Sequence, residues 1–83
     1  MKILYFAWLK QKTGTGEENL APPAGVRTVG ALIDHLRAKS SGHAAALADL
    51  KLVRVAVNQE FAELDAPVGP NDEVAFFPPV TGG

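Results

Sequence analysis

Cysteine is absent from this 83-residue chain, which removes disulfides, thiolate metal sites and any cysteine nucleophile at once. Charge of one sign is lacking too. Eight Lys and Arg against nine Asp and Glu leave a formal net charge of −1. The basic residues (Lys2, Lys10, Lys12, Arg27, Arg37, Lys39, Lys51, Arg54) are scattered. Nucleic-acid binding needs a basic stripe, so that class of partner is not expected. Long apolar runs are missing as well. The longest, Ile3–Leu9, is too short to span a bilayer. It follows a lone lysine without a small-residue cleavage site, so neither membrane anchor nor signal peptide is expected, and the cytoplasm is the expected compartment. The two histidines, His35 and His43, are too few without cysteine to suggest a metal site. His35 reads as a solvated or half-buried helix residue, and His43 as the start of a second helix. Asp72 and Glu73 read as a turn before a strand and not as a catalytic carboxylate pair. With no nucleophile–base pair and no phosphate loop, the chain does not read as an enzyme on its own.

The chain does contain a core. It is 47 % hydrophobic and 20 % charged, the balance of one folded domain, whose net stability should be about 4–12 kcal/mol. Lys2–Leu9 reads as a buried strand, 11–18 as a glycine-containing loop, and 18–21 as a short strand stopped by Pro22 and Pro23. The period then changes. Val29, Leu32, Ile33 and Leu36 fall on one helical face, with Thr28 as N-cap, Arg37 and Lys39 near the C-terminal end, and Gly42 as the stop. A second short helix is expected over 43–50. Val53, Val55 and Val57 line one face of the next strand, Asn58 and Gln59 make a turn, 60–64 forms a short strand, 66–72 is a loop, and 73–77 is the last strand. This order predicts an α+β fold with one principal helix on one face of a mixed sheet. The two most hydrophobic strands, first and last, belong together at its centre. Phe6, Trp8, Phe61, Phe76 and Phe77 are mostly core on this reading. Alternation nevertheless sends Phe76 and Phe77 to opposite faces, leaving one of them free as a partner anchor.

"FFPPVTGG" ends the sequence at Phe76 to Gly83. Pro78 and Pro79 make a stiff extended spacer, and the β-branched Val80 and Thr81 favour continued extension. Gly82 and Gly83 have no Cβ, so this segment can enter a narrow channel and its last carbonyl can be approached freely. The expected organisation is a folded domain over 1–77 and a functional tail over 78–83. A carboxylate at Gly83 becomes an acyl donor once it is adenylated.

The segments "VAVNQ" (Val55–Gln59) and "NDEVAFFPPVTGG" (Asn71–Gly83), with weaker support from "YFAWLKQKTG" (Tyr5–Gly14), carry a resemblance over essentially the whole chain. It resembles the small subunits of molybdopterin synthase, ubiquitin-like sulfur carriers of β-grasp fold. The resemblance implies that an E1-like adenylating enzyme consumes ATP to activate Gly83. A sulfur donor protein then makes the C-terminal thiocarboxylate (a 1-thioglycine). The tail, Pro78 to Gly82 leading Gly83, enters a large subunit that supplies the catalytic side chains and converts a pterin precursor in molybdenum cofactor biosynthesis. It also implies a heterotetramer of two small and two large subunits, a partner interface including Phe77, Phe76 and Lys10, and no bound cofactor or metal. Two departures stand out. Lys10-Gln11 replaces the family's common Arg-Glu, which bears on a partner salt bridge, and Asn71-Asp72 replaces a Gly-Asp turn. Carriers for thiamine or cysteine synthesis, ubiquitin-like protein modifiers and a plain interaction module with an idle tail are the other readings.

Overall fold

A computed structural model describes residues 1–79 of the chain. Its elements are β1 (Lys2–Tyr5), α1 (Trp8–Thr13), β2 (Glu17–Asn19), α2 (Val29–Arg37), α3 (Ser41–Ala46), a 3-10 turn (Leu50–Leu52), β3 (Arg54–Val57), β4 (Glu60–Phe61) and β5 (Glu73–Phe77). The five strands form one mixed sheet in the order β2-β1-β5-β3-β4. Strands β1 and β5 lie side by side and parallel, while β1–β2, β3–β4 and β3–β5 are antiparallel. This is the expected β-grasp plan with the first and last strands adjacent.

Alternation along the strands decides which side of the sheet is covered. Ile3 and Tyr5 of β1, Val55 of β3, and Val74 and Phe76 of β5 are buried. They pack in one core with Val29, Leu32, Ile33 and Leu36 of α2. The helix starts as its sequence predicts: the Thr28 hydroxyl accepts from Ala31 N–H at 3.2 Å. Two further amides of its first turn donate to loop carbonyls, Val29 to Ala66 and Gly30 to Leu64. That second bond explains why the strand expected over 60–64 shortens to Glu60–Phe61. After Ala62 N–H bonds Val55 O, the chain must leave β3 to satisfy the helix.

Three expectations need correction. The Lys2–Leu9 strand ends at Tyr5, and the region expected to be a loop contains α1. The apolar string conceals two periods. Ile3 and Tyr5 point inward at strand spacing. A sharp turn at Ala7, φ 55° and ψ −133°, then starts a helix that buries Leu9 completely. Gly14 ends it in the left-handed conformation, φ 84°, with its N–H bonded to Lys10 O. Gly42 does not stop α2, which closes at Ala38. It lies inside α3, where the backbone carbonyl of Lys12 comes so close that a Cβ would sit 2.3 Å from its oxygen. The second helix is Ser41–Ala46, shorter and earlier than 43–50, because Ser40 caps it by accepting from His43 N–H. Its far end is held by Arg37, whose guanidinium donates to Leu47 O through Nε and Nη2 at 2.9 and 2.6 Å.

The Asn58-Gln59 turn stands as expected. Both residues have positive φ, 52° and 70°, the two-residue hairpin geometry that matches strand twist. Asn58 also ties this turn to the start of β5. Its Oδ1 accepts from Glu73 N–H and its Nδ2 donates to Asp72 Oδ1, each at 3.0 Å. The Asn58 Nδ2 bond, and the Gly69 N–H donated to Asp72, hold the Asp72 carboxyl below its usual range.

Candidate functional site

The face of the sheet opposite the helices is graded from polar to aromatic. At one end Lys2 sits between Glu17 and Glu73, at 3.7 and 4.0 Å. Its middle is small and apolar, with Leu4 in register with Ala75 and Ala75 in register with Ala56. At the other end Phe77 lies opposite Arg54 and Phe61 opposite Ala56. The two phenyl rings meet with centroids 5.8 Å apart at 51°. Phe6 extends the outer alternation of β1 to this end and donates its amide to Phe76 O at 3.1 Å. Parallel pairing of β1 with β5 is what delivers Phe6 and Phe77 to the same edge, where Pro78 begins the tail.

Exposure makes this end unusual. Phe61 is 80 % exposed and Phe6 49 %, so the sequence expectation that they are core is corrected. Phe61 is on the two-residue edge strand β4, where its ring meets Phe77. Phe6 sits between the inward-facing Tyr5 and the turn at Ala7. Phe77 is half-buried. Phe76 is fully buried, stacked on Tyr5 with centroids 5.9 Å apart, so its placement at a partner interface is also corrected: its ring faces α2. Lys10 is exposed, with its aliphatic stem across Gly16 at the β2 side of the sheet, whereas Phe61 is at the β4 side. Pro78 and Pro79 are half-buried. Val80, Thr81, Gly82 and Gly83 lie outside the described residues. Beside the aromatic end, a groove of about 700 Å³ opens where β4 leaves β3, lined by Ile33, Leu50, Arg54, Phe61, Leu64 and Phe77 among others.

A second polar constellation was not legible in the sequence. His43 is 5 % exposed. Its Nε2 bonds Glu18 Oε2 and its Nδ1 bonds the Ser40 hydroxyl, both at 2.7 Å. Since a carboxylate only accepts, Nε2–H donates to Glu18, while Nδ1 and the Ser40 hydroxyl share the second bond. Lys39 Nζ also donates to Glu18. Serine, histidine and carboxylate in a row resemble a hydrolytic triad, but the Ser40 oxygen is engaged as the cap of α3 and none of the three lines the groove. The constellation works as a latch, tying α3 to the edge strand β2. Tyr5 lies under it, its ring edge-on to His43 at 5.6 Å. The Tyr5 hydroxyl faces Glu18 without reaching hydrogen-bonding geometry. Burial, and then the Glu18 charge, push this phenol well above its usual range.

Burial alone would raise the Glu18 carboxyl, but bonds from Lys39 and His43, with the Tyr5 dipole, outweigh it and hold it below its usual range. A lowered folded value means that the ionised carboxylate stabilises the fold. That contribution is complete above the unfolded pKa, about 4.3, and is lost as pH falls through the folded value. Glu18→Gln is therefore expected to lower stability by about 1–2 kcal/mol at pH 7. Urea unfolding should show the gap to wild type narrowing below about pH 4.3. A gap of constant size between pH 7 and pH 3 would reject this role.

The ThiS family matches residues 3–83. The chain is 47 % identical over 83 residues to the Molybdopterin synthase sulfur carrier subunit of Escherichia coli (strain K12), covering 100 % of this chain and 99 % of that protein. Among solved structures it is similar to a putative molybdopterin converting factor, subunit 1, from Pyrococcus furiosus (30 % identity, 95 % of each chain, TM-score 0.74). It is also similar to SAMP1 from Haloferax volcanii, at 30 % identity, 100 % of this chain and 98 % of that one, and TM-score 0.73. A β-grasp sheet with its central parallel pair and a family match running from β1 through Gly83 have one reading: this chain belongs to the ThiS family.

Proposed function

We propose that the protein is the sulfur-carrier subunit of a molybdopterin synthase, with Gly83 as the atom-bearing end. The observation that carries this reading is the full-length likeness to the Escherichia coli carrier subunit. In the proposed cycle an E1-like enzyme binds ATP. The Gly83 carboxylate attacks its α-phosphorus and pyrophosphate leaves. The terminal sulfur of a persulfide on a sulfur donor protein then displaces AMP at the carbonyl carbon to give an acyl disulfide. A second thiol of the donor cleaves its S–S bond, leaving the thiocarboxylate and a disulfide on the donor. The tail, from Pro78 through Gly82, carries that sulfur into the large subunit, where the pterin precursor receives it, in a complex of two small and two large subunits. The chain has no cysteine, so the terminal carbonyl is its one place for acyl-bound sulfur.

The outer sheet face fits this use. Phe6, Phe61 and Phe77 stand at the edge from which the tail departs, giving a partner an apolar anchor beside the reactive end. Lys10 joins the interface on the α1 side in this reading. A channel in the partner that admits only glycine width accounts for Gly82-Gly83.

The test is intact mass after incubation with the E1-like enzyme, ATP and a sulfur donor protein. The expected gain is the difference between one sulfur and one oxygen atom, and it should vanish when Gly83 is deleted. An unchanged mass, with no adenylate formed, would reject the carrier role. Similarity to a small archaeal modifier protein supports a second reading, attachment of Gly83 to lysines. Isopeptide adducts in cell lysate, without the thiocarboxylate, would favour it.

A further inference from the structure

The outer aromatic edge carries one cation that no carboxylate among the described residues pairs with. Arg54 is exposed, projects from β3 directly opposite Phe77, and lines the groove with Phe61. Lys10, Lys12, Arg27 and Lys51 likewise form no ion pair among the described residues, but none of them lines the aromatic groove. Lys2 pairs with Glu17 and Glu73, Lys39 with Glu18, and Arg37 with Asp34. Among the described residues Arg54 makes no ion pair within 4.0 Å. Glu63 lines the same groove yet lies beyond that distance.

We propose that Arg54 selects the partner: the surface that covers Phe61 and Phe77 presents a carboxylate to this guanidinium. The inference rests on the carrier reading above and deepens it. A partner covering the aromatic edge would also cover Arg54, directly across from Phe77. Removing a guanidinium from water is unfavourable unless an anion replaces the lost hydration, and a planar guanidinium matches a carboxylate in two parallel hydrogen bonds. A polyanion is a poor candidate, because Arg54 is the one cation among the aromatics and the chain carries a net charge of −1. A protein surface with an apolar recess for the phenyl rings and an Asp or Glu beside it satisfies both requirements. A wrong partner lacking the acid would leave Arg54 buried and unpaired, so the charge discriminates more than it attracts.

The test compares wild type, Arg54→Glu, Arg54→Lys and Phe77→Ala for binding to the molybdopterin synthase large subunit and the E1-like enzyme of the same organism. Calorimetry at low and high salt supplies the readout, and circular dichroism checks the fold. Expected is a loss of about 30-fold or more for Arg54→Glu with at least one partner, together with a weaker salt dependence. Arg54→Lys keeps the charge but loses the two-pronged geometry, so its loss should fall between wild type and Arg54→Glu. Arg54→Glu binding like wild type while Phe77→Ala is impaired would overturn the inference and leave the carrier reading standing. Wild-type protein that binds neither partner would overturn both, an outcome separated from the first by the wild-type control.

Discussion

Phe76→Ala and Phe77→Ala, one residue apart, are expected to fail in opposite ways. Phe76 is fully buried and stacks on Tyr5, within the cluster that joins β1, β5 and α2. Truncating it leaves a cavity that its neighbours cannot fill, at about 3–5 kcal/mol. Against a total of about 4–12 kcal/mol for a domain of this length, that leaves the protein marginal or unfolded at 25 °C. Phe77 points the other way, toward Phe61 on the open face. Its loss should change folding stability by about 1 kcal/mol or less while weakening partner docking by about 30- to 1,000-fold, as for an aromatic anchor. Urea unfolding and calorimetric titration of the two variants separate the effects. Equal stability losses would show that Phe77 is structural; a Phe76→Ala protein as stable as wild type would show that the core lies elsewhere.

Gly42→Ala is expected to destabilise by about 2–3 kcal/mol, although alanine is the better helix former by about 1 kcal/mol. The new Cβ would lie 2.3 Å from Lys12 O and 3.4 Å from its carbonyl carbon. These are backbone atoms at the end of α1, so no side chain can swing away; α1 and α3 must separate. Moving α3 also disturbs His43, which begins one residue later and holds Glu18. The cost therefore spreads to the latch, and the effects of Gly42→Ala and Glu18→Gln should not add. The check is a thermal or urea denaturation series on both single variants and the double. A Gly42→Ala protein more stable than wild type would show that helix propensity outweighs the close approach.

The carrier reading places chemistry and recognition on one edge, which explains an apparent extravagance. A domain this small exposes Phe6, Phe61, Leu52 and Leu64 when its core is short of apolar material. Exposed aromatics next to the tail are reasonable if a partner covers them during activation and delivery, and the groove beside β3 enlarges the area available.

Much of this was legible in the residues themselves. The helix over Val29–Arg37, with its Thr28 cap, follows from a 3.6-residue period that only one structure satisfies. Val53 and Val55, like Val74 and Phe76, alternate at the strand period, so their shared face was readable, as was the Asn58-Gln59 turn. The tail's chemistry (a proline pair, two glycines, no cysteine anywhere) is a property of composition and order, and needs no fold to state. What tertiary structure alone decided is where a local pattern is overruled by distant contacts. Ile3–Leu9 is apolar throughout, so no period marks the break at Ala7; Leu9 becomes helical because the core beneath α1 has room for it there. Alternation separates Phe76 from Phe77 but cannot say which face the helices cover, and only the packing of α2 on the Phe76 side leaves Phe77, Phe61 and Arg54 to the outside. Gly42 looks like a helix stop until the carbonyl of Lys12 arrives beside it. Glu18 and His43 are 25 positions apart, and their bond exists because β2 and α3 meet across the fold. Periodicity is a local property of the chain; burial, close approach and charge pairing belong to whichever segments the fold brings together.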